Sequence, residues 1–204
     1  FLSLFAGRTD VYAKRWVSKR TGKSGYSPTC KNEWDDRLCQ KGRIKCSDCT
    51  NRVYSELTTE EIYKHLSKNA TENDVIGIYP MLNDETTNFV VIDFDDDNWQ
   101  QDVTTIRTSC ESLKIVVYIE RSRSGEGAHC WFFFSEPIQV KLARRFASSV
   151  ISYSMNQNHK IKFNSYDRLL PNQDNMPDGG FGNLIALPLQ GFARKNGNVC
   201  CLQL

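Results

Sequence analysis

The chain has no long apolar run. Nothing in its 204 residues approaches the roughly 18 to 20 consecutive apolar residues of a membrane span, and the basic N-terminal region lacks the apolar core of a secretion signal. A cytoplasmic location is expected. Net charge is nearly lacking as well. With 26 Lys and Arg against 24 Asp and Glu, the sum is +2, too small by itself to imply a nucleic-acid partner. There is no internal repeat and no low-complexity segment, which excludes repeat arrays and biased linkers.

What is present is enough hydrophobic sequence, 40%, to bury a core in one large domain or two small ones. The chain opens on Phe1 and closes on an apolar stretch, and a piece of a longer protein is expected. Charge is unevenly spread: Arg8, Lys14, Arg15, Lys19, Arg20 and Lys23 stand against the single acid Asp10, with Tyr12 and Trp16 interleaved. Such a segment suits phosphate tracking; a solvated helix face is the alternative.

The eight cysteines divide into a cluster and a scatter. Cys110, Cys130, Cys200 and Cys201 are dispersed among apolar neighbours, whereas Cys30, Cys39, Cys46 and Cys49 follow a C-x8-C-x6-C-x2-C spacing. Clustering of this kind argues for metal rather than for a disulfide framework. Four thiolates suit one tetrahedral Zn²⁺, whose role would be to hold a loop-rich knuckle, about residues 28–50, that has little core of its own. Buried free thiols are the alternative. The surrounding lysines and arginines make template contact a second duty.

Periodicity divides the rest. Leu2 to Trp16 is helix-compatible, and Thr21 to Pro28 breaks the pattern. Leu57 to Leu66 reads as a helix with Thr58 as cap and Glu61 completing a capping box, and His65 as a dipole or surface residue at its end. Val75–Pro80 and Asn88–Asp95 read as a hairpin around Asn83-Asp84-Glu85. Helix 98–113, strands 115–121 and 129–135, helix 140–156 and strand 183–189 follow. With the strand ending at Asp95, the order is β-α-β-β-α-β. The expectation is an α+β fold: a ferredoxin-like (RRM-like) catalytic module over 75–204, with helices on one face of a four-stranded sheet and the other face open, preceded by an α/β module over 1–74 carrying the zinc knuckle.

Three clusters carry chemistry. In Val90-Val91-Ile92-Asp93-Phe94-Asp95, alternation puts both acids on one face. Carboxylates this close repel unless a cation such as Mg²⁺ or Mn²⁺ lies between them. Asp96 and Asp97 continue the acidic run where the strand should end, in a solvated or helix-capping role. Arg121-Ser122-Arg123-Ser124-Gly125-Glu126-Gly127-Ala128-His129 is a polar loop between apolar strands, with guanidinium, hydroxyl and backbone N–H groups suited to a triphosphate. His129 opens a strand expected beside that of the acids. In the third cluster, Ser165 to Asp174, Asp167 sits among Tyr and Leu residues and is the choice for a third metal ligand, with Arg168 as its ion-pair partner in the alternative.

An acidic pair on a strand, a small-x-His motif and a later single Asp, here Ile92-Asp93-Phe94-Asp95, Gly127-Ala128-His129 and Tyr166-Asp167, resemble the archaeo-eukaryotic primase superfamily. Gly127 departs from the serine common at the first place of the histidine motif, which leaves the hydroxyl contact to Ser122 or Ser124. The wider wording, including Leu4-Phe5-x-Gly-Arg8, the four cysteines, Glu120 to Gly125, and Gly182 to Pro188, is similar to the primase-polymerases of bacterial conflict systems and those associated with CRISPR loci.

The resemblance implies that Asp93, Asp95 and Asp167 bind two divalent ions, Mg²⁺ or Mn²⁺, and that a 3′-hydroxyl attacks the α-phosphate of an incoming NTP or dNTP on a single-stranded DNA template with its primer. It implies that His129 and the Ser122, Arg123, Ser124 and Gly125 loop, with Arg168, hold the nucleotide. Arg8, Tyr12, Arg15 and Lys23 would contact the template. Partner domains of a longer chain, a helicase, a nuclease or CRISPR components, follow from the same resemblance. Two rival readings remain. A metal-dependent D-x-D glycosyltransferase would not need a basic zinc knuckle. A non-catalytic zinc-containing nucleic-acid binding module would stack bases on sheet aromatics, not present acids.

Overall fold

The longest alternating stretch, Thr86 to Asp95, is rich in β-branched and aromatic residues, which favour a pleated, packed strand. In the computed structural model, which describes residues 1–95, 97–157 and 163–200, this stretch is the centre of the molecule. The elements are β1 (Ala13–Val17), β2 (Ser24–Pro28), a 3-10 turn (Cys46–Asp48), α1 (Thr59–Leu66), β3 (Ile76–Ile78), β4 (Thr86–Asp95), α2 (Trp99–Ser112), β5 (Tyr118–Arg121), β6 (Gly127–Gln139), α3 (Val140–Gln157), β7 (Tyr166–Leu170), β8 (Ile185–Ala186) and α4 (Gly191–Arg194). They form a mixed α/β structure with two four-stranded antiparallel sheets, ordered β2-β1-β3-β8 and β5-β6-β4-β7.

Alternation along β4 divides two cores. Val90, Ile92 and Phe94 pack with Val103 and Ile106 of α2 and with Ala143, Ala147 and Val150 of α3. Phe89 and Val91 point the other way, joining Trp131 and Leu170 against Tyr12, Ile76, Ile78, Ile185 and Leu187. All five β4 residues from Phe89 to Ile92 and Phe94 are fully buried. The face expected to be open is therefore largely covered by the first sheet, and Asp95 is exposed at the end that carries the acids. The first sheet takes β1 and β2 from before residue 75 and β3 and β8 from after it, so the two expected modules share hydrogen bonds.

Several expected elements are placed differently. Instead of a helix over 2–16, the chain makes β1, because Val11, Tyr12 and Ala13 are drawn into the core and Ala13 and Lys14 pair with Gly77 and Ile76. The residues that read as breakers are the hairpin turn to β2, with Gly22 at φ +68°. The expected hairpin of 75–80 with 88–95 does not pair. A turn at 82–86 is present, with the Leu82 N–H bonded to the Thr86 carbonyl at 2.8 Å, but β3 pairs with β1 and β8 while β4 enters the other sheet. The last strand of the catalytic sheet is β7, not 183–189. Only Leu169 and Leu170 of β7 are buried, so its exposed first half hides the alternation. Helix α1 keeps its Thr58 cap on the Glu61 N–H at 3.4 Å; the Glu61 carboxylate pairs with Lys14 and Lys64. His65 is fully buried, not at the surface, because its ring reaches the Ile76 N–H and the Pro188 carbonyl. No helix among the described residues is long and apolar enough to cross a membrane.

Candidate active site

Asp93 and Asp95 share one face of β4, and the third acid reaches them through an irregularity in the neighbouring strand. Asp93 pairs with Arg168 and the next residue, Phe94, pairs with Tyr166. Asp167 is thus the extra residue of a β-bulge, the device that re-aims a side chain. The stretch leading into β7 is braced by Asp102 of α2, which accepts from Ser165 Oγ at 2.5 Å and from its N–H at 3.3 Å. One ligand oxygen from each of Asp93, Asp95 and Asp167 lies within 4.8 Å of the others, the one such group of three or more acids, histidines or cysteines among the described residues.

Asp93 is 9% exposed, and its Oδ1 is buried with no hydrogen-bond partner. Burial raises its pKa to about 6; Asp95 and Asp167 push the same way, against the pull of His129 and Arg168. A buried carboxylate oxygen without a hydrogen bond, beside two further acids, fits a divalent cation with oxygen ligands. Arg168 partly offsets the charge, bonded to Asp167 at 2.5 Å and standing 4.0 Å from Asp93 Oδ2, so the ion pair of the alternative reading lies beside the three acids.

His129 lies directly across the ladder from Asp93, with Nε2 at 3.4 Å from Asp93 Oδ1. Its other nitrogen, Nδ1, is 3.0 Å from Glu120 Oε2. Burial alone would lower the His129 pKa, but Glu120, Asp93 and Asp95 outweigh it and raise it to about 9. Glu120 had no assigned role in the sequence reading. Its signal was there: a single acid between Ile119 and Arg121 in an apolar strand, paired across from His129.

A cleft of about 410 Å³ runs past the acids, lined by Asp95, Ser124, Glu126, Tyr166, Asp167 and Arg168 among others. Of the loop expected to hold a triphosphate, Ser124 faces this cleft. Ser122 is buried beneath it with its hydroxyl 3.0 Å from that of Ser124. Gly125, at φ +86°, makes the turn, its carbonyl accepting from Arg121 Nε at 3.0 Å. Arg123 is drawn away to Tyr26 of β2. Gly127 has no room for a side chain, since a Cβ there would meet the Phe94 carbonyl at 2.3 Å and Asp95 Oδ1 at 2.6 Å. The departure from serine at this position thus has a steric cause. Asp97 is exposed and Asn98 takes the cap position of α2, while Asp96 lies outside the described residues, as does Cys201.

Of the four residues expected at the template, three are engaged within the protein. Arg8 pairs with Asp10 and lies 5.0 Å over the Phe181 ring. Tyr12 is 5% exposed. Arg15 bonds the Glu72 carbonyl at 3.0 Å. Lys23 is exposed at the β1–β2 hairpin, as are Lys19 and Arg20. Trp16, also exposed, lies flat over its cross-strand partner Gly25, where a Cβ would come within 2.9 Å of the indole. The four clustered cysteines line one cavity of about 30 Å³ together with Tyr54 and Arg52. The Val53 N–H points to Cys30 Sγ at 3.4 Å, and the Cys46–Asp48 turn is the one helical element in that segment.

Comparison with known proteins adds a family. The model described as "TOTE conflict system, Archaeo-Eukaryotic Primase domain" matches residues 1–203. No curated protein matches the sequence. Among solved structures, the polymerase domain of Mycobacterium tuberculosis Ligase D in complex with DNA is similar at 12% identity and a TM-score of 0.45. That match covers 76% of this chain and 58% of the other, so the chain spans less than two thirds of the structure it resembles.

Proposed function

Because the chain belongs to the archaeo-eukaryotic primase domain family of TOTE conflict systems, we propose that it is a template-dependent primase-polymerase. It joins NTPs or dNTPs by nucleotidyl transfer, making or extending primers on single-stranded DNA. The observation that carries this reading is the convergence of Asp93, Asp95 and Asp167, with one Asp93 oxygen buried and without a hydrogen bond. The observed order β4-α2-β5-β6-α3-β7 supports a ferredoxin-like catalytic module, with residues 1–74 contributing the knuckle and the hairpin.

Two divalent ions, Mg²⁺ or Mn²⁺, held by Asp93, Asp95 and Asp167, would supply the charge that activates a 3′-hydroxyl and neutralises the departing pyrophosphate. The chain's own side chains do the rest. His129 would present Nε2 to the phosphates, and Ser124, which lines the cleft, would present its hydroxyl. Arg168 balances negative charge beside Asp167 and is placed to meet the same phosphates. Template contact falls to the exposed hairpin: Lys19, Arg20 and Lys23 for phosphates and the seated Trp16 for base stacking, worth roughly 1 to 3 kcal/mol per base. Cys30, Cys39, Cys46 and Cys49 would hold one structural Zn²⁺; the four residues line one cavity in a segment otherwise made of turns, and four thiolates are a tetrahedral zinc donor set.

The test is primer synthesis on single-stranded DNA with labelled nucleotides and Mn²⁺ or Mg²⁺, comparing the chain with its Asp93→Ala/Asp95→Ala variant. Product from the first and none from the second is expected. Equal product from both would sink the assignment of the acids. No product from either, on bare or on primed template, would sink the enzymatic reading.

A further inference from the structure

Glu120 is an acid where an apolar residue would pack more readily. It is 3% exposed and borders a small apolar cavity with Phe5, Ile119, Pro188 and Val199. A carboxylate this far from water persists only with partners. Its Oε2 has two: it accepts from His129 Nδ1 at 3.0 Å and from Trp131 Nε1 at 2.9 Å. The ladder explains the pair, because Glu120 lies opposite His129 on β6 and Trp131 is the next residue on that face. Trp131 is itself immobilised, 2% exposed, stacked on Phe133 at 5.9 Å and edge-on to Phe5 at 5.1 Å. A fixed indole thus fixes the oxygen, and the oxygen fixes the imidazole.

We infer that Glu120 is the positioning residue for His129: by occupying Nδ1 it prevents the ring from turning and commits Nε2 to the side of Asp93, 3.4 Å from its Oδ1. The inference rests on the primase-polymerase reading, in which Nε2 meets the nucleotide's phosphates. A histidine has two chemically distinct nitrogens, and the hydrogen bond made by one decides what the other presents. Without Glu120 the ring loses the one hydrogen bond on Nδ1 and keeps only the 3.4 Å contact of Nε2 with Asp93, so its orientation is less firmly set. Carboxylate partners of functional histidines typically matter about 10- to 100-fold when removed.

The experiment is steady-state nucleotide incorporation on a primed template by the wild type, Glu120→Gln, Glu120→Leu, His129→Ala and the Glu120→Leu/His129→Ala double variant, with Tm measured for each. Glutamine can set its carbonyl oxygen where Oε2 stands, so Glu120→Gln is expected to keep the nucleotide KM within about threefold, whereas Glu120→Leu raises it about tenfold or more with a smaller change in kcat. In the His129→Ala background Glu120→Leu is expected to add nothing. Should the leucine variant not fold, Trp131→Phe frees Oε2 from its anchor and is expected to raise KM in the presence of His129 and not in its absence. Wild-type KM in Glu120→Leu, or a loss that adds in full to that of His129→Ala, overturns the inference while leaving the enzymatic reading intact. A wild type that incorporates nothing overturns that reading, and this inference with it.

Discussion

His65 and Pro188, 123 positions apart in sequence, are joined by a hydrogen bond of 3.0 Å from the imidazole Nε2 to the proline carbonyl. The other nitrogen, Nδ1, accepts from the Ile76 N–H at 3.2 Å, so the neutral ring with its proton on Nε2 satisfies both partners. One side chain thereby ties α1 to β3 and to the segment following β8.

Burial lowers the His65 pKa, against the pull of the Pro188 carbonyl. A base whose folded pKa lies below its unfolded value of about 6.5 favours the unfolded state when protonated. Its contribution is fully present above that value and is lost as pH falls from there toward the folded pKa. Urea unfolding from about pH 7 to about pH 5 is expected to show the wild type losing stability relative to His65→Gln as pH falls. Removing the ring with His65→Ala is expected to cost about 1 to 3 kcal/mol.

For Asp93 the sign is reversed. Its folded pKa of about 6 exceeds the ordinary carboxylate value of 3.8, so its own contribution to the stability of the metal-free protein is greatest below about pH 4 and is lost as pH rises through about 6. At neutral pH, Asp93→Asn is expected to stabilise the metal-free protein by on the order of 2 kcal/mol, roughly 4 to 8 °C in Tm, while abolishing incorporation. Scanning calorimetry with and without Mn²⁺ checks this, with the cation raising Tm in the wild type and not in the variant.

Gly127→Ala is expected to force β6 away from β4 where the acids lie, because the added methyl meets backbone oxygen as well as a side chain. Overpacking of this kind costs about 1 to 3 kcal/mol. The expected result is loss of incorporation at temperatures where circular dichroism still reports folded protein. An active, fully stable Gly127→Ala would contradict the crowding at this point.

Removing zinc ligands should act locally. Cys46→Ser/Cys49→Ser is expected to lose about one zinc per chain by elemental analysis and to open residues 30–54 to limited proteolysis, while both sheets persist. Zinc-free wild type with an equally resistant segment would refute a metal-held knuckle.

The acid pair was legible because strand alternation is a strong local signal, and Asp167 was legible as an acid among apolar neighbours. The bulge that delivers Asp167 was not, since it depends on how β7 registers against a strand some seventy positions earlier. The N-terminal strand was misread as helix because Leu2 to Trp16 satisfies a helical period, and only Gly77 and Ile76, distant in sequence, decide the matter. His65 was misplaced for the same reason: its partners lie on β3 and near β8. The basic run was read correctly as a cluster, but which of its cations face solvent follows from the β1–β2 hairpin, not from composition.

Strand β4 is hydrogen-bonded on both edges and packed on both faces, so Asp93 and Asp95 sit at the end of the stretch best protected from water. Amides there are expected to exchange only when the whole molecule opens, whereas Ser124 and Glu126 are carried by a turn. Heating should then leave the acids in register until cooperative melting, with no softening of the centre beforehand. Any activity of the acids would then disappear together with the fold, and adjustment to a ligand would fall to the cover over the acids, not to the acids themselves.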